Sequence, residues 1–250
     1  MPDSQRRNLP LVYAGQDEGA RPETRYQVCE ALRRGVDPVV VVDHVARGLD
    51  ELWRAYLQTD FGAGQRPACG SRCPWCCHQR VEVTAPEVLL LVRQLRGPDT
   101  ERYRERLRAT ADRLARLTAR EHHEQQIRCA LLSDAGECSV YASRPLACRR
   151  AHSLDPSVCA AVHADPSAPG VVPQAPGLNW NLSALVLGYL EGLHHAGYPP
   201  HHYELHQALA MGLSESDIEV RYAQGENVLA AAMTLSADGL ASLWRREDDR

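Results

Sequence analysis

The sequence predicts a mainly α-helical protein, an irregular helical bundle with two cysteine-bearing loops converging on a metal centre. Three observations lead there. Apolar residues recur at spacings of three and four along most of the chain, behind recognisable helix starts. Glycine and proline concentrate in two stretches, residues 61–81 and 133–152, too densely for a regular element to pass through. Those same two stretches hold Cys69, Cys73, Cys76, Cys77, Cys138 and Cys148.

In chain order, residues 1–24 are polar and read as an irregular arm, and residues 23–34 as a short helix. Asp37-Pro38 opens the next element. Val39 to Val42, followed by Val45, Leu49, Leu52, Trp53 and Tyr56, gives a helix ending near Thr59, although the valine run alone would also suit a strand. After the first cysteine loop, Thr84-Ala-Pro-Glu87 is a capping-box start with proline in the first turn, and its helix runs to Gly97-Pro98. Asp99 or Thr100 caps a longer helix expected to reach about Leu132, with Tyr103, Leu107, Leu114 and Leu117 on one stripe. Residues 155–179, rich in proline, alanine and glycine, read as a long connection. Helices are then expected from Asn179 or Asn181 to His195 and from Tyr203 to Met211, with shorter ones after Ser214 and over 227–233. The resulting organisation is an N-terminal helical segment (1–60), a cysteine-rich metal-binding domain (61–155) and a C-terminal helical segment (156–250) packed on the same core.

The chain of 250 residues is 44% hydrophobic and carries a net charge of −4, with 28 basic and 32 acidic residues. A core can form without metal or disulfides. The basic residues show no excess of the kind nucleic-acid binding requires, so the arginine-rich helix after Thr100 reads as a solvated face. No apolar run is long enough to cross a membrane or resembles a secretory leader, and a cytoplasmic location is expected. In that reducing compartment, clustered cysteines read as metal ligands before disulfides.

The first cluster reads Cys69-Gly-Ser-Arg-Cys73-Pro-Trp-Cys76-Cys77-His78. Thiolates are soft donors that select zinc or iron–sulfur centres, and the two-residue spacing of Cys73 and Cys76 lets both sulfurs face one metal. Adjacent side chains diverge, so Cys76 and Cys77 are more easily shared between two metal atoms, or between ligation and support. Six thiols exceed the four that one tetrahedral zinc or one four-iron cluster takes. Three further cysteines, Cys29, Cys129 and Cys159, have no partner at ligand spacing and read as ordinary buried thiols. A radical S-adenosylmethionine enzyme is disfavoured by the absence of alternating strands and helices. A thiol oxidoreductase built on Cys73-Pro-Trp-Cys76 is disfavoured because the pair lies in a loop rather than at a helix start.

Gly136, Cys138, Tyr141, Arg144, Pro145, Cys148 and Arg149, together with Cys73-x-x-Cys76-Cys77 and Val83-Thr-Ala-Pro-Glu87, resemble the YkgJ family, a zinc- or iron-chelating CxxCxxCC domain. The resemblance spans roughly residues 69–152 and departs from the family pattern in the three-residue gap between Cys69 and Cys73. It implies a metal-binding protein; some relatives are similar to flagellin lysine methylases, but no S-adenosylmethionine pocket is legible here.

The expected metal ligands are therefore Cys69, Cys73, Cys76, Cys77, Cys138 and Cys148, around an iron–sulfur cluster or, as the alternative, zinc. Arg144, Arg149 and Tyr141 are the residues expected to support the bound cofactor, by offsetting thiolate charge, locking the loop or covering the site. His78 and His152 adjoin ligand cysteines and are reserve ligands. The doublets His122-His123, His194-His195 and His201-His202 read as surface or capping residues, and Trp180 as core. The expected role is metal binding with an enzymatic or redox use, or a structural zinc domain for folding or partner binding. A protein or small molecule could be the substrate, with neither nucleic acid nor membrane as partner; catalytic residues and oligomeric state are not legible.

Overall fold

Helix-start chemistry sets the first half of the architecture. In the computed structural model, which describes residues 20–167 and 171–236, α1 spans Ala20–Arg33 and α2 spans Pro38–Leu57. The Asp37 side chain accepts the Val39 N–H at 2.9 Å with Pro38 in the first turn, so the valine run is helical. Tertiary burial decides this against strand propensity: Val39, Val41, Val42 and Val45 all lie in the core. The arm expected over residues 1–24 falls outside the described residues up to position 19, and the rest of it belongs to α1.

A short α3 (Asp60–Gly64) and a 3₁₀ turn at Trp75–His78 interrupt the first cysteine loop, which leads into β1 (Glu82–Val83) and α4 (Ala85–Leu95). The helix expected to run to Leu132 is shorter. Instead, α5 (Thr100–Leu114) stops and α6 (Ala119–Gln125) begins afresh. The cause is a second capping box: Thr118 accepts the Glu121 N–H, and Glu121 accepts the Thr118 N–H. Gln126 then ends α6 in the left-handed region, with φ +47°.

The second loop contains a 3₁₀ turn at Tyr141–Ser143 and α7 (Leu146–Arg150). The expected long connection holds α8 (Pro156–Ala164), started by Asp155 accepting the Ser157 N–H at 2.8 Å. After it come α9 (Pro176–His195), β2 (His202–Glu204), α10 (Leu205–Ser214), α11 (Ile218–Ala223), a 3₁₀ turn at Ala230–Ala232 and β3 (Met233–Leu235). Tyr203 is thus a strand residue, and Gly212 lies inside α10 rather than ending it. The three strands form one small antiparallel sheet in the order β1-β2-β3, with Val83 opposite Tyr203.

Two apolar cores hold the elements together. One joins α4, α5, α10 and the sheet through residues such as Leu89, Leu91, Leu107, Tyr203 and Leu209. The other joins α1, α2 and α9 through Val28, Leu49, Leu182, Leu185 and Tyr189, with Leu146 of α7 added. Close approach of α1 to α9 depends on two glycines: a Cβ at Gly188 would stand 2.5 Å from the Arg21 carbonyl oxygen, and one at Gly192 would stand 2.6 Å from Val28 Cβ. Helix α10 thus contributes to the first core and α9 to the second. No helix among the described residues is long and apolar enough to cross a membrane.

Candidate metal centre

The first loop is wound by short-range backbone bonds that present its thiols. Cys73 N–H donates to the Gly70 carbonyl at 3.1 Å and Cys77 N–H to the Pro74 carbonyl at 2.9 Å, which closes the turn carrying Cys76 and Cys77. Cys129 N–H then donates to the Cys77 carbonyl at 2.8 Å, docking the second loop on the first. From there the chain turns at Gly136, whose φ is +77°, and returns with Cys138 paired opposite Leu132. A second clasp closes the far end: Ala68 N–H donates to the Ser153 carbonyl at 2.8 Å, and Ser153 N–H to Cys69 Sγ at 3.2 Å.

Between the loops lies a cavity of about 400 Å³. All six expected cysteines line it, and Cys129 makes a seventh. An adjoining cavity of about 340 Å³ is lined by Cys69, Cys73 and Cys76 again, with Cys159, His123 and His163. Cys77, Cys129, Cys138 and Cys148 face the first cavity alone. Two of the cysteines read as ordinary thiols, Cys129 and Cys159, are therefore cavity residues. Cys29 is buried in α1, apart from both. Cys69 and Cys76 are solvent-exposed because the cavities are open, although protein surrounds them.

Burial and mutual proximity set the electrostatics of the thiols. Burial, with smaller contributions from Cys73, Cys76 and Cys159, pushes the Cys69 thiol up to about 11 against the lowering bond from Ser153 N–H. Cys73, Cys138 and Cys148 are likewise raised, chiefly by burial, while Cys76 is raised mainly by its hydrogen bond with Cys77. Cys148 also feels Cys129, Cys76 and Cys138, so thiols of both loops sense one another. Among the described residues, no three Cys, His, Asp or Glu side chains stand close enough to hold one ion as placed. Closing on a metal requires side-chain rotation and loss of thiol protons, the usual coupling between metal binding and pH. The donor set fits a thiophilic metal and lacks the carboxylate cage that calcium or magnesium needs.

The supporting residues divide by what they touch. The buried Arg149 guanidinium pairs with Asp50 and donates to the Ala142 and Arg144 carbonyls, while Trp53 Nε1 donates to the Arg149 carbonyl at 2.9 Å. Arg149 thereby fixes α7 to α2 and does not line the cavity. Arg144 does line it, with its guanidinium 4.0 Å above the Tyr141 ring and 3.7 Å from Asp50. Its charge favours the ionised forms of Cys76 and Cys138. Glu87, the capping-box acid of α4, is fully buried: it accepts Thr84 N–H and Oγ–H at 2.8 Å each and the Leu146 N–H at 2.9 Å. That last bond anchors the start of α7 and so positions Cys148.

Three histidine readings change. His152 is committed at both nitrogens, to the Arg150 carbonyl (2.9 Å) and the Ala175 N–H (3.0 Å), which leaves it no lone pair for a metal. His122 is buried rather than at the surface, and His123 lines the second cavity; only His194-His195 is an exposed doublet. Trp180 is 66% exposed rather than in the core. A buried pair that no sequence pattern announced stands behind Cys129: His206 Nδ1 meets Glu204 Oε1 at 2.9 Å, and its Nε2 lies 3.4 Å from Cys129 Sγ. The Ala130 N–H donates to the same nitrogen at 3.3 Å in the neutral ring, a bond that must give way when Nε2 takes a proton and turns it toward Cys129. Burial opposes the charged form of His206, yet the bonds to Cys129 and Glu204 push it up to about 10. Glu204 is held below the usual carboxylate range by His206 in spite of its burial.

Residues 68–165 match the CxxCxxCC family, described as "Putative zinc- or iron-chelating domain". No curated protein and no solved structure matches the chain.

Proposed function

From the premise that residues 68–165 belong to the CxxCxxCC family of zinc- or iron-chelating domains, we propose that the chain binds metal as an iron–sulfur cluster in the larger cavity, with a redox or enzymatic use. One observation carries this reading: seven cysteines, six from the two loops and Cys129 from the segment just before the second, surround a single space of about 400 Å³. A lone zinc takes four donors at about 2.3 Å, and thiolates draw in tightly around it. Seven thiols around an open cavity suit a polynuclear centre better. Among the six cysteines Cys69, Cys73, Cys76, Cys77, Cys138 and Cys148, the last three face this cavity alone, as does Cys129, giving the four thiolates that a four-iron cluster takes. Cys76 stands at the boundary with the second cavity.

The cluster, when bound, supplies one-electron redox chemistry. The chain supplies its surroundings. Arg144 offsets thiolate charge at Cys76 and Cys138, Arg149 and Glu87 fix the helix bearing Cys148, and the Glu204–His206 pair holds the Cys129 sulfur from behind. Tyr141 covers Arg144 at the cavity rim. Zinc is favoured in the adjoining cavity instead, where imidazoles join the thiols.

Elemental and sulfide analysis with an absorption spectrum, on untagged protein purified without oxygen, tests the reading. About four iron with matching acid-labile sulfide and a broad visible band are expected. Cys148→Ser should lose them and Cys29→Ser should keep them. A colourless protein containing zinc alone refutes the cluster, and equal metal in both variants refutes the cavity as its site.

A further inference from the structure

The second cavity has its own ligand logic. Cys159 and His163 are four residues apart on α8, so both project from one face of the same helix, one turn apart. Opposite them, lining the same cavity, stand Cys69 and Cys73. Each pair encloses three residues, Cys69-x3-Cys73 and Cys159-x3-His163, which is within zinc-ligand spacing. The far clasp joins the two halves: Ser153 N–H donates to Cys69 Sγ, and α8 begins two residues later at its Asp155 cap. Backbone amides directed at a sulfur favour its thiolate form.

The protonation of His163 can be read from its neighbours. Gln126 Nε2 donates to the His123 carbonyl at 2.7 Å, which orients the amide and leaves Oε1 as the acceptor facing His163. His163 Nδ1, 2.7 Å from that oxygen, must therefore carry the proton. Nε2 is left with its lone pair, in the arrangement that metal-bound histidines show when a carbonyl fixes the other ring nitrogen. Trp75 and His78 pack on the ring at 5.3 and 4.3 Å and restrain it further. Gln126 is also the one non-glycine residue with positive φ among those described.

We propose that this cavity is a separate mononuclear zinc site, with Cys69, Cys73 and Cys159 Sγ and His163 Nε2 as tetrahedral ligands and Gln126 as the residue positioning His163. The proposal rests on the reading that the cysteine cavities bind metal. It divides the donors into two sets: Cys77, Cys129, Cys138 and Cys148 for the larger centre, and a Cys₃His set for the smaller, with Cys76 on the wall between them. Zinc is the fitting ion because a closed four-donor site of thiolates and one imidazole needs neither redox chemistry nor an open position.

Iron and zinc measured together on the same untagged, anaerobically purified full chain decide the matter. The expected content includes about one zinc per chain. His163→Ala and Cys159→Ser should each lower zinc at least tenfold and leave the visible band and iron unchanged, whereas Cys138→Ser should do the reverse. Gln126→Leu, which removes only the positioning bond, should weaken zinc by roughly ten- to a hundredfold. Should His163→Ala fail to fold, His163→Cys keeps a soft ligand and should retain zinc; in the cobalt-substituted protein it should shift the d–d absorption. Zinc unchanged by loss of Cys159 or His163, an unchanged cobalt spectrum, or iron and zinc lost in constant proportion in every variant overturns the separate site. Wild-type protein that holds zinc dependent on Cys159 and His163 but no iron would refute the cluster and leave this proposal standing.

Discussion

Replacing Glu87 by glutamine changes one atom and should disturb two helices. The carboxylate accepts three hydrogen bonds, Thr84 N–H and Oγ–H on one oxygen and Leu146 N–H on the other. A glutamine amide offers a single oxygen, so whichever way it turns an NH₂ faces a donor. If the oxygen stays on Thr84, the Leu146 N–H is orphaned at the start of α7. A lost hydrogen bond to a charged acceptor is worth about 1.5–3 kcal/mol, and a buried donor left unmet costs about 1–3 kcal/mol. Burial pushes the Glu87 carboxyl up and weakens its charged form. The lower part of the summed range, roughly 2.5–4 kcal/mol, is therefore expected. For a domain of this size, Tm should fall by roughly 5–15 °C. Urea unfolding of the metal-free chain measures the free energy, and amide hydrogen exchange at Leu146 should lose protection in step. A loss below about 1 kcal/mol, or full protection of the Leu146 amide, would show that Glu87 does not secure α7.

Other outcomes follow from the same contacts. Arg149→Met removes the guanidinium shared by Asp50 and the Ala142 and Arg144 carbonyls; because Asp50 is partly exposed, a cost of about 2–4 kcal/mol in urea unfolding is expected, with less than half recovered by Arg149→Lys. The stability difference between the metal-free wild type and His206→Gln should depend on pH. His206 is raised to about 10 in the folded chain, so its contribution is complete below the unfolded value of about 6.5 and declines progressively as pH rises to the folded value. At the acid end the same difference should shrink once pH falls through the depressed range of Glu204. A difference that is flat from neutrality to strongly basic pH would contradict the ion pair.

Local chemistry was readable where a side chain acts on its own neighbours. Thr84 with Glu87, and Asp37 with Pro38, announce α4 and α2 because caps act over three residues. Thr118 and Glu121 form the same signature, but the apolar stripe running past them suggested one continuous helix. Asp155-Pro156 likewise starts α8 inside a stretch whose composition resembles a loop. Missing that helix hid the Cys159–His163 pair, whose spacing has meaning only on a helical face. Cys129 could not be paired from sequence, since its neighbours in space come from the first loop and from α10. The Glu204–His206 pair behind it is set by strand β2 and by burial, neither of which leaves a periodic trace.

The clasp from Cys129 N–H to the Cys77 carbonyl is made by backbone alone, whereas the far one joins Ala68 N–H to the Ser153 carbonyl and Ser153 N–H to Cys69 Sγ, a sulfur of the proposed zinc set. Many small metal domains fold only as the ion arrives, so losing the ion means losing the fold. Here the helices around the thiols have two apolar cores of their own, so much of the packing is independent of the ion.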